Sequence, residues 1–236
     1  MTRLMPLLCL AACLLARPAA AQLPPPLTPR AELSVGLTGM SRGPGKGSER
    51  ALASLGFHEG YGSRGMTQTG FDGFWKVEIG MSERRSVSVL TTRTANRTSG
   101  VGDVPGLGSV QLSTDHVVVT RAVTWSYRPN GWISFGAGPA VHRRRFAIDA
   151  PRGPNVGVRS ERALGAVAGV NVKWKREHGT FAHALWQYRY AGSFRSDSVA
   201  VPLGSLNRAP EQTVQWPATR IPFSHRMIGI GFGVEF

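Results

Sequence analysis

The chain has 236 residues, 42% of them hydrophobic and 18% charged, and a formal charge of +14. Its two cysteines, Cys9 and Cys13, both fall in an apolar N-terminal segment, so the remainder can form neither a disulfide framework nor a thiolate metal site. No apolar run reaches the ~18 residues that a membrane-spanning helix needs, so insertion into a membrane would require a closed barrel, which satisfies every backbone group without water.

The first segment reads as a secretory signal peptide over residues 1–21. Arg3 supplies the basic start, Leu4 to Leu15 is mostly apolar, and Ala19-Ala20-Ala21 offers a cleavage site before Gln22. Leu10-Ala11-Ala12-Cys13 also has lipobox form, but the apolar run before Cys13 is very short and continues through Leu14 and Leu15. Export turns the basic charge away from nucleic acid and towards anionic lipid headgroups, lipopolysaccharide phosphates or acidic polysaccharide. Residues 22–30 form a proline-rich, extended lead-in with four ladder donors missing.

From residue 31 to 236 period-two patterns follow one another. Leu33, Val35 and Leu37 alternate with small or polar residues, as do Trp75, Val77, Ile79 and Met81, then Val87 and Val89. Val117 to Tyr127 is β-branched and aromatic. Ile133, Phe135, Ala137 and Val141 form a further row, Leu164 to Trp174 another, and Ala182 to Tyr190 another. In the last strand Ile228, Ile230, Phe232, Val234 and Phe236 alternate with Gly229, Gly231, Gly233 and Glu235. These make eight strands, an even number, as in single-chain bacterial barrels.

The connections alternate in length. Tight turns are expected at Ser82-Glu83-Arg84, Arg128-Pro129-Asn130-Gly131 and Arg176-Glu177-His178-Gly179. Long loops are expected at about residues 41–70, 93–115, 143–162 and 192–222. In the first, Ser48 to Gly56 reads as a short helix with Ser48 as its N-cap. Short turns on one rim and long loops on the other suit a transmembrane meander, whereas a Greek-key sandwich has no reason to alternate.

The closing strand with its terminal aromatic, together with this alternation and the glycine-punctuated Phe135-Gly136-Ala137-Gly138-Pro139, resembles the small bacterial outer-membrane protein β-barrel domain family. The resemblance implies an all-β fold, an eight-stranded antiparallel up-and-down transmembrane β-barrel. It also implies that Ile228, Ile230, Phe232, Val234 and Phe236 are the lipid-facing signal read by the barrel-assembly machinery. Trp125, Tyr127 and Trp174, with Phe236, fall at strand ends beside short turns and would form an aromatic girdle. Trp75 and Tyr190 fall near the other rim. Arg121 shares parity with the lipid-facing Val117, Val119 and Val123. A β-bulge near it, changing parity part-way, is the expected solution, with snorkelling as the alternative.

Glu32, Glu78 and Glu235 fall on the inward face with Lys76, Lys173 and Arg189, three of each sign, as an interior ion-pair network requires. Inward glycines would leave room for these long side chains. Asp115-His116 and Ser224-His225 are the candidate catalytic pairs, as lipid-modifying barrels would need, but neither has a His-x-Ser arrangement, and Ser224 and His225, adjacent in a strand, diverge and cannot form a direct dyad. The histidines have no metal-ligand spacing, and neither metal nor cofactor is expected. His142 precedes Arg143, Arg144 and Arg145, expected in a long loop as candidate contacts for anionic phosphate. The expectation is thus an outer-membrane protein in contact with lipid, with a structural or surface-interaction role that includes lipopolysaccharide contact through basic loops. A small-solute pore or transporter is the alternative, and a lipid-modifying enzyme a third reading.

Overall fold

A computed structural model describes residues 30–40, 45–58, 67–69, 71–149, 155–175, 179–203 and 212–236. The expected signal peptide, almost all of the lead-in, and parts of the first, fifth and seventh connections and of the sixth turn lie outside the described residues.

Eight long strands form the wall: β1 (Ala31–Met40), β3 (Phe71–Gly80), β4 (Arg85–Val104), β5 (Gly108–Tyr127), β6 (Ile133–Asp149), β7 (Val156–Lys175), β8 (Thr180–Tyr190) and β13 (His225–Glu235). Each pairs antiparallel with the next, and β1 closes the ring by pairing with both β3 and β13, so that Leu33 lies opposite Val77 on one side and Val234 on the other. Closure removes the sheet edges, the condition for strands to cross lipid. Shorter elements decorate one end: helix α1 (Gly45–Ser54), β2 (Thr67–Thr69) beside β4, and two small ribbons. These pair β10 (Val199–Leu203) with β11 (Gln212–Trp216), and β9 (Ser193–Ser196) with β12 (Thr219–Pro222).

The wall is taller on one side. β4, β5 and β7 each have 20 residues, whereas β1 and β3 have 10 and β8 and β13 have 11. Two of the expected long loops are mostly strand. β4 and β5 pair without interruption from Arg85↔Tyr127 to Val104↔Gly108, leaving only a tight turn at Pro105-Gly106-Leu107 where a loop over 93–115 was expected. β6 runs on to Asp149 and β7 starts at Val156, inside the expected 143–162 loop. Above the membrane the pattern reverses, with polar residues facing out, so these segments lack the apolar outward row that marked the other strands.

The expected helix forms, but it starts at Gly45, so Ser48 lies within it rather than capping it. Its end is as expected: Gly56 adopts φ +82, and the Phe57 and Gly56 amides donate back to the Leu52 and Ala53 carbonyls at 2.9 and 3.1 Å. No bulge surrounds Arg121. The β4–β5 register is continuous through Thr91↔Arg121, and the register shift in the β6–β7 pair falls at Phe146/Ile148 instead. Arg121 therefore faces outward.

Outward positions along the lower barrel are apolar and exposed, as at Ile228, Ile230 (63%), Phe232 (62%), Trp75, Ile79 and Trp186, with Val77, Val170 and Val172 half-buried in the same belt. Inward positions there are mainly polar and buried: Ser34, Thr38, Ser88, Thr124 and Asn171. An apolar exterior around a polar interior is the reverse of a water-soluble domain and marks a barrel whose solvent is lipid. No helix among the described residues is long and apolar enough to cross a membrane.

Candidate functional site

The interior is layered. Nearest the short turns lies a charged layer. Glu32 is bound by Lys173, by Arg128 at 3.4 Å and by Arg30 at 3.8 Å. Glu78 is bound by Lys76, by Arg128 at 3.2 Å and by the Ser86 hydroxyl at 2.5 Å. Glu235 meets Arg30 and, at 3.6 Å, Lys173. Every carboxylate in this layer meets more than one cation, which offsets the large cost of taking charge out of water.

Five of the six residues expected in the network are here. The sixth, Arg189, is not. It is fully buried farther up the barrel, where its guanidinium donates to Thr92 Oγ1 at 2.5 Å, Gln187 Oε1 at 3.1 Å and Thr120 Oγ1 at 3.4 Å, with no carboxylate partner among the described residues. Two cations that complete the charged layer, Arg30 and Arg128, were missed because they stand at a strand start and in a turn, where strand parity assigns no face.

Above the charges sit Phe74, Leu90, Leu185 and Met227 as an apolar layer. Glycines make room for these rings and for histidine rather than for charged chains. A Cβ on Gly231 would stand 2.8 Å from Phe74 Cζ and 2.9 Å from His183 Nε2. A small cavity of about 20 Å³, bordered by Lys76, Ser126, Ser134, Asn171 and Gln187, is the size of a single water.

The barrel mouth is filled by a second core. Val110, Leu112, Phe146 and Ile148 from the tall wall meet Leu52 of α1, Trp216 and Ile221 of the ribbons, and Phe223 just after β12, all buried. Arg144 ties this dome to the wall. It donates to the Ala191 carbonyl at 2.8 Å and to Glu161 at 2.9 Å, and its guanidinium lies 5.4 Å from the Phe223 ring centre and 5.8 Å from that of Phe194. Arg144 was expected in a loop, free for an outside anion. It is instead an inward strand residue, committed to the dome. Arg143 and Arg145, its strand neighbours, face outward and are exposed.

The candidate catalytic pairs separate. Ser224 Oγ accepts from the Ala191 amide at 3.2 Å, and His225 Nδ1 donates to the Phe223 carbonyl at 2.7 Å. His116 does meet a serine, Ser48 of α1, at 2.9 Å. Both are fully buried, the ring packs on Phe146, and among the described residues its Nδ1 has no hydrogen-bond partner, so no described acid orients the ring as a triad would need. Among the described residues no three His, Cys, Asp or Glu side chains converge as a metal site.

At the short-turn end Trp125, Tyr127, Trp174 and Phe236 are exposed on the outer surface, and Trp132 and Phe135 join them. Trp75, Tyr188 and Tyr190 are exposed as well.

Sequence comparison finds neither a matching protein-family model nor a related curated protein. Similarity in structure is clear. The outer membrane protein OprG from Pseudomonas aeruginosa superposes with a TM-score of 0.51 at 11% identity, over 88% of this chain and 95% of that one. Ail, the attachment invasion locus protein of Yersinia pestis, in complex with the heparin analogue sucrose octasulfate, is 12% identical over 89% of this chain and 100% of its own, with a TM-score of 0.47. AlkL, an outer membrane protein studied in lipid bilayers, matches over 93% of this chain at 12% identity and a TM-score of 0.40. With its closed ring and its apolar outer belt, the chain has the fold of the small eight-stranded outer-membrane β-barrels.

Proposed function

We propose that this chain is an outer-membrane barrel with a structural and surface-interaction role, and that it does not conduct solutes. One observation supports this reading: among the described residues the lumen holds successive layers of buried side chains, and the cavity beside Lys76, Asn171 and Gln187 is the size of a single water. The charged layer, the Phe74–Leu90–Leu185–Met227 layer and the apolar dome follow in series, and eight strands enclose room for little more than their own side chains. A transporter would need a continuous wet path.

In this reading residues 1–21 direct export. The outward row Ile228, Ile230, Phe232, Val234 and Phe236 serves recognition by the barrel-assembly machinery, and Trp125, Tyr127 and Trp174 hold the barrel at headgroup level. The network of Glu32, Lys76, Glu78, Lys173 and Glu235 is structural, and lipopolysaccharide is a contact of the outer rim. The buried Ser48–His116 pair fixes α1, which speaks for a non-enzymatic role.

The test is reconstitution of the refolded protein in a planar bilayer. The expected record shows no steady conductance. A reproducible ohmic step from the intact protein would replace this reading with the small-solute pore.

A further inference from the structure

We infer that the outer face of the tall wall carries a binding site for the phosphate groups of a phosphorylated glycolipid in the surrounding leaflet, formed by Arg121, Arg143, Arg145 and Arg162. This rests on the outer-membrane reading above and gives its lipid contact a location.

Register brings the four together. Arg143 lies directly opposite Arg162 across the β6–β7 pair, and Arg145 stands opposite Ser160 one row higher. Arg121 on β5 stands opposite Val141, one row lower. All four face outward and are exposed. Side chains directly opposite in an antiparallel pair have Cβ atoms about 4.5–5.5 Å apart, and like charges there repel. Among the described residues no side chain of the four has an ion pair or hydrogen bond, while nearby carboxylates have other cations: Asp115, outward on β5 one row above Val117, lies 3.9 Å from Arg97, Asp149 is bound by Arg97, and Glu161 by Arg144 and Arg159. A cluster of facing, unpaired guanidiniums is complementary to a shared dianionic group, whose oxygens each accept from a planar fork.

Height selects the source of the phosphate. Directly below the Arg143–Arg162 row come Val141 and Leu164, the latter 85% exposed, so the site borders the apolar belt instead of the aqueous loops. Arg143 lies opposite Val119, eight positions above Tyr127 of the girdle. At about 3.4 Å per residue and a tilt of about 40° this is roughly 20 Å, close to the upper edge of an apolar band about 25 Å tall. A headgroup phosphate of a neighbouring lipid lies at that level, with its acyl chains against Leu164 and Val141. The short side of the wall presents Trp75, Tyr188 and Tyr190 instead, so the site is on one side of the barrel only.

The experiment measures binding of purified lipopolysaccharide, of the same material after phosphatase treatment, and of inorganic phosphate, to the protein folded in neutral detergent micelles. The variant is R121Q/R143Q/R162Q, and R84Q/R85Q/R195Q removes the same charge from exposed positions outside the cluster. Heat-shifted gel mobility reports folding. The parent and the charge-matched control are expected to bind lipopolysaccharide alike, and the cluster variant about tenfold more weakly at low salt, a sum of individually modest exposed contacts, with the difference fading as salt rises. Phosphatase treatment should weaken the parent similarly, and inorganic phosphate should bind far more weakly than the lipid. Equal affinity of folded cluster variant and parent, or of intact and phosphatase-treated lipid, overturns the site and leaves the barrel reading standing. Tight binding of inorganic phosphate overturns the lipid as its occupant. A parent that will not fold into micelles, and stays soluble without them, overturns both readings. Should the cluster variant not fold, the parent's response to phosphatase treatment decides alone.

Discussion

The lower barrel and its upper extension are built from the same strands with opposite insides. On β5, Tyr127, Trp125 and Val123 point to lipid while Ser126, Thr124 and Thr120 point inward. Farther up the same strand, with parity unchanged, Val118, Leu112 and Val110 point inward to the dome, and Gln111 and Asp115 point out. The pleat is indifferent to which face is greasy. The solvent decides: where lipid surrounds the wall the apolar row faces out, and where water surrounds it the apolar row must find a core. Helix α1 and the β9–β12 and β10–β11 ribbons supply that core. The arginines Arg121, Arg143 and Arg162 stand where one regime gives way to the other.

Two substitutions should break one half each with large effect. Glu78→Gln leaves Lys76 and Arg128 facing each other around a neutral group, and removal of one partner of a buried ion pair costs about 3–5 kcal/mol. The lower barrel should then unfold at distinctly lower urea concentration, measured by gel mobility in lipid vesicles. Trp216→Ala should cost a similar ~3–5 kcal/mol in the dome, but there the loss should appear as protease cleavage within residues 193–222 while the barrel remains resistant. Cooperative loss of both halves in either variant would show that they are one folding unit.

The outer surface tests the comparison more sharply. Ile230→Arg places a charge on the lipid face and should cost ~2–4 kcal/mol. Val158→Arg, at a similarly exposed apolar position on the upper part of β7, should fall within about 0.5 kcal/mol of the parent. Equal penalties for the two would place the upper wall in lipid and remove the distinction.

The same distinction explains what was legible in the sequence. Ile228 to Phe236 could be read because, for a lipid-facing strand, alternation of large apolar with small or polar residues is a demand of the solvent itself, and the tight turns at residues 82–84 and 128–131 because they separate such rows. Residues 93–115 and 143–162 misled because their apolar rows are sparse: a strand segment such as Arg93-Thr94-Ala95-Asn96-Arg97 packs through Thr94 and Asn96, both buried, and has the composition of a loop. Reading β6 through Val141 to Ile148 as strand would have turned Arg144 inward at once. The absence of Arg189 from the ion-pair layer was legible in its place one residue before Tyr190, at the long-loop end of β8, but strand parity by itself gives the face of a residue and not its height along the barrel. Arg30 and Arg128 reach the layer from outside the strands.

The smallest effect concerns the contact that joins the two kinds of interior. Ser48 Oγ lies 2.9 Å from His116 Nε2, and Thr114 Oγ1 lies 3.3 Å from the same nitrogen. Ser48→Ala removes the shorter contact but leaves the imidazole a second hydroxyl, so the buried nitrogen is not orphaned. The cost should be that of one net hydrogen bond, about 1 kcal/mol. It should be seen as a modest rise in protease access to α1, with no change in the unfolding of the barrel. A nucleophilic serine predicts a different outcome: covalent labelling of Ser48 by a fluorophosphonate in the parent and its loss in the variant. With both residues fully buried and His116 Nδ1 without a hydrogen-bond partner among the described residues, the expected labelling is none. Stoichiometric labelling would show that the dome opens widely enough to expose α1, and that the two halves of the molecule are held together far more loosely than their packing implies.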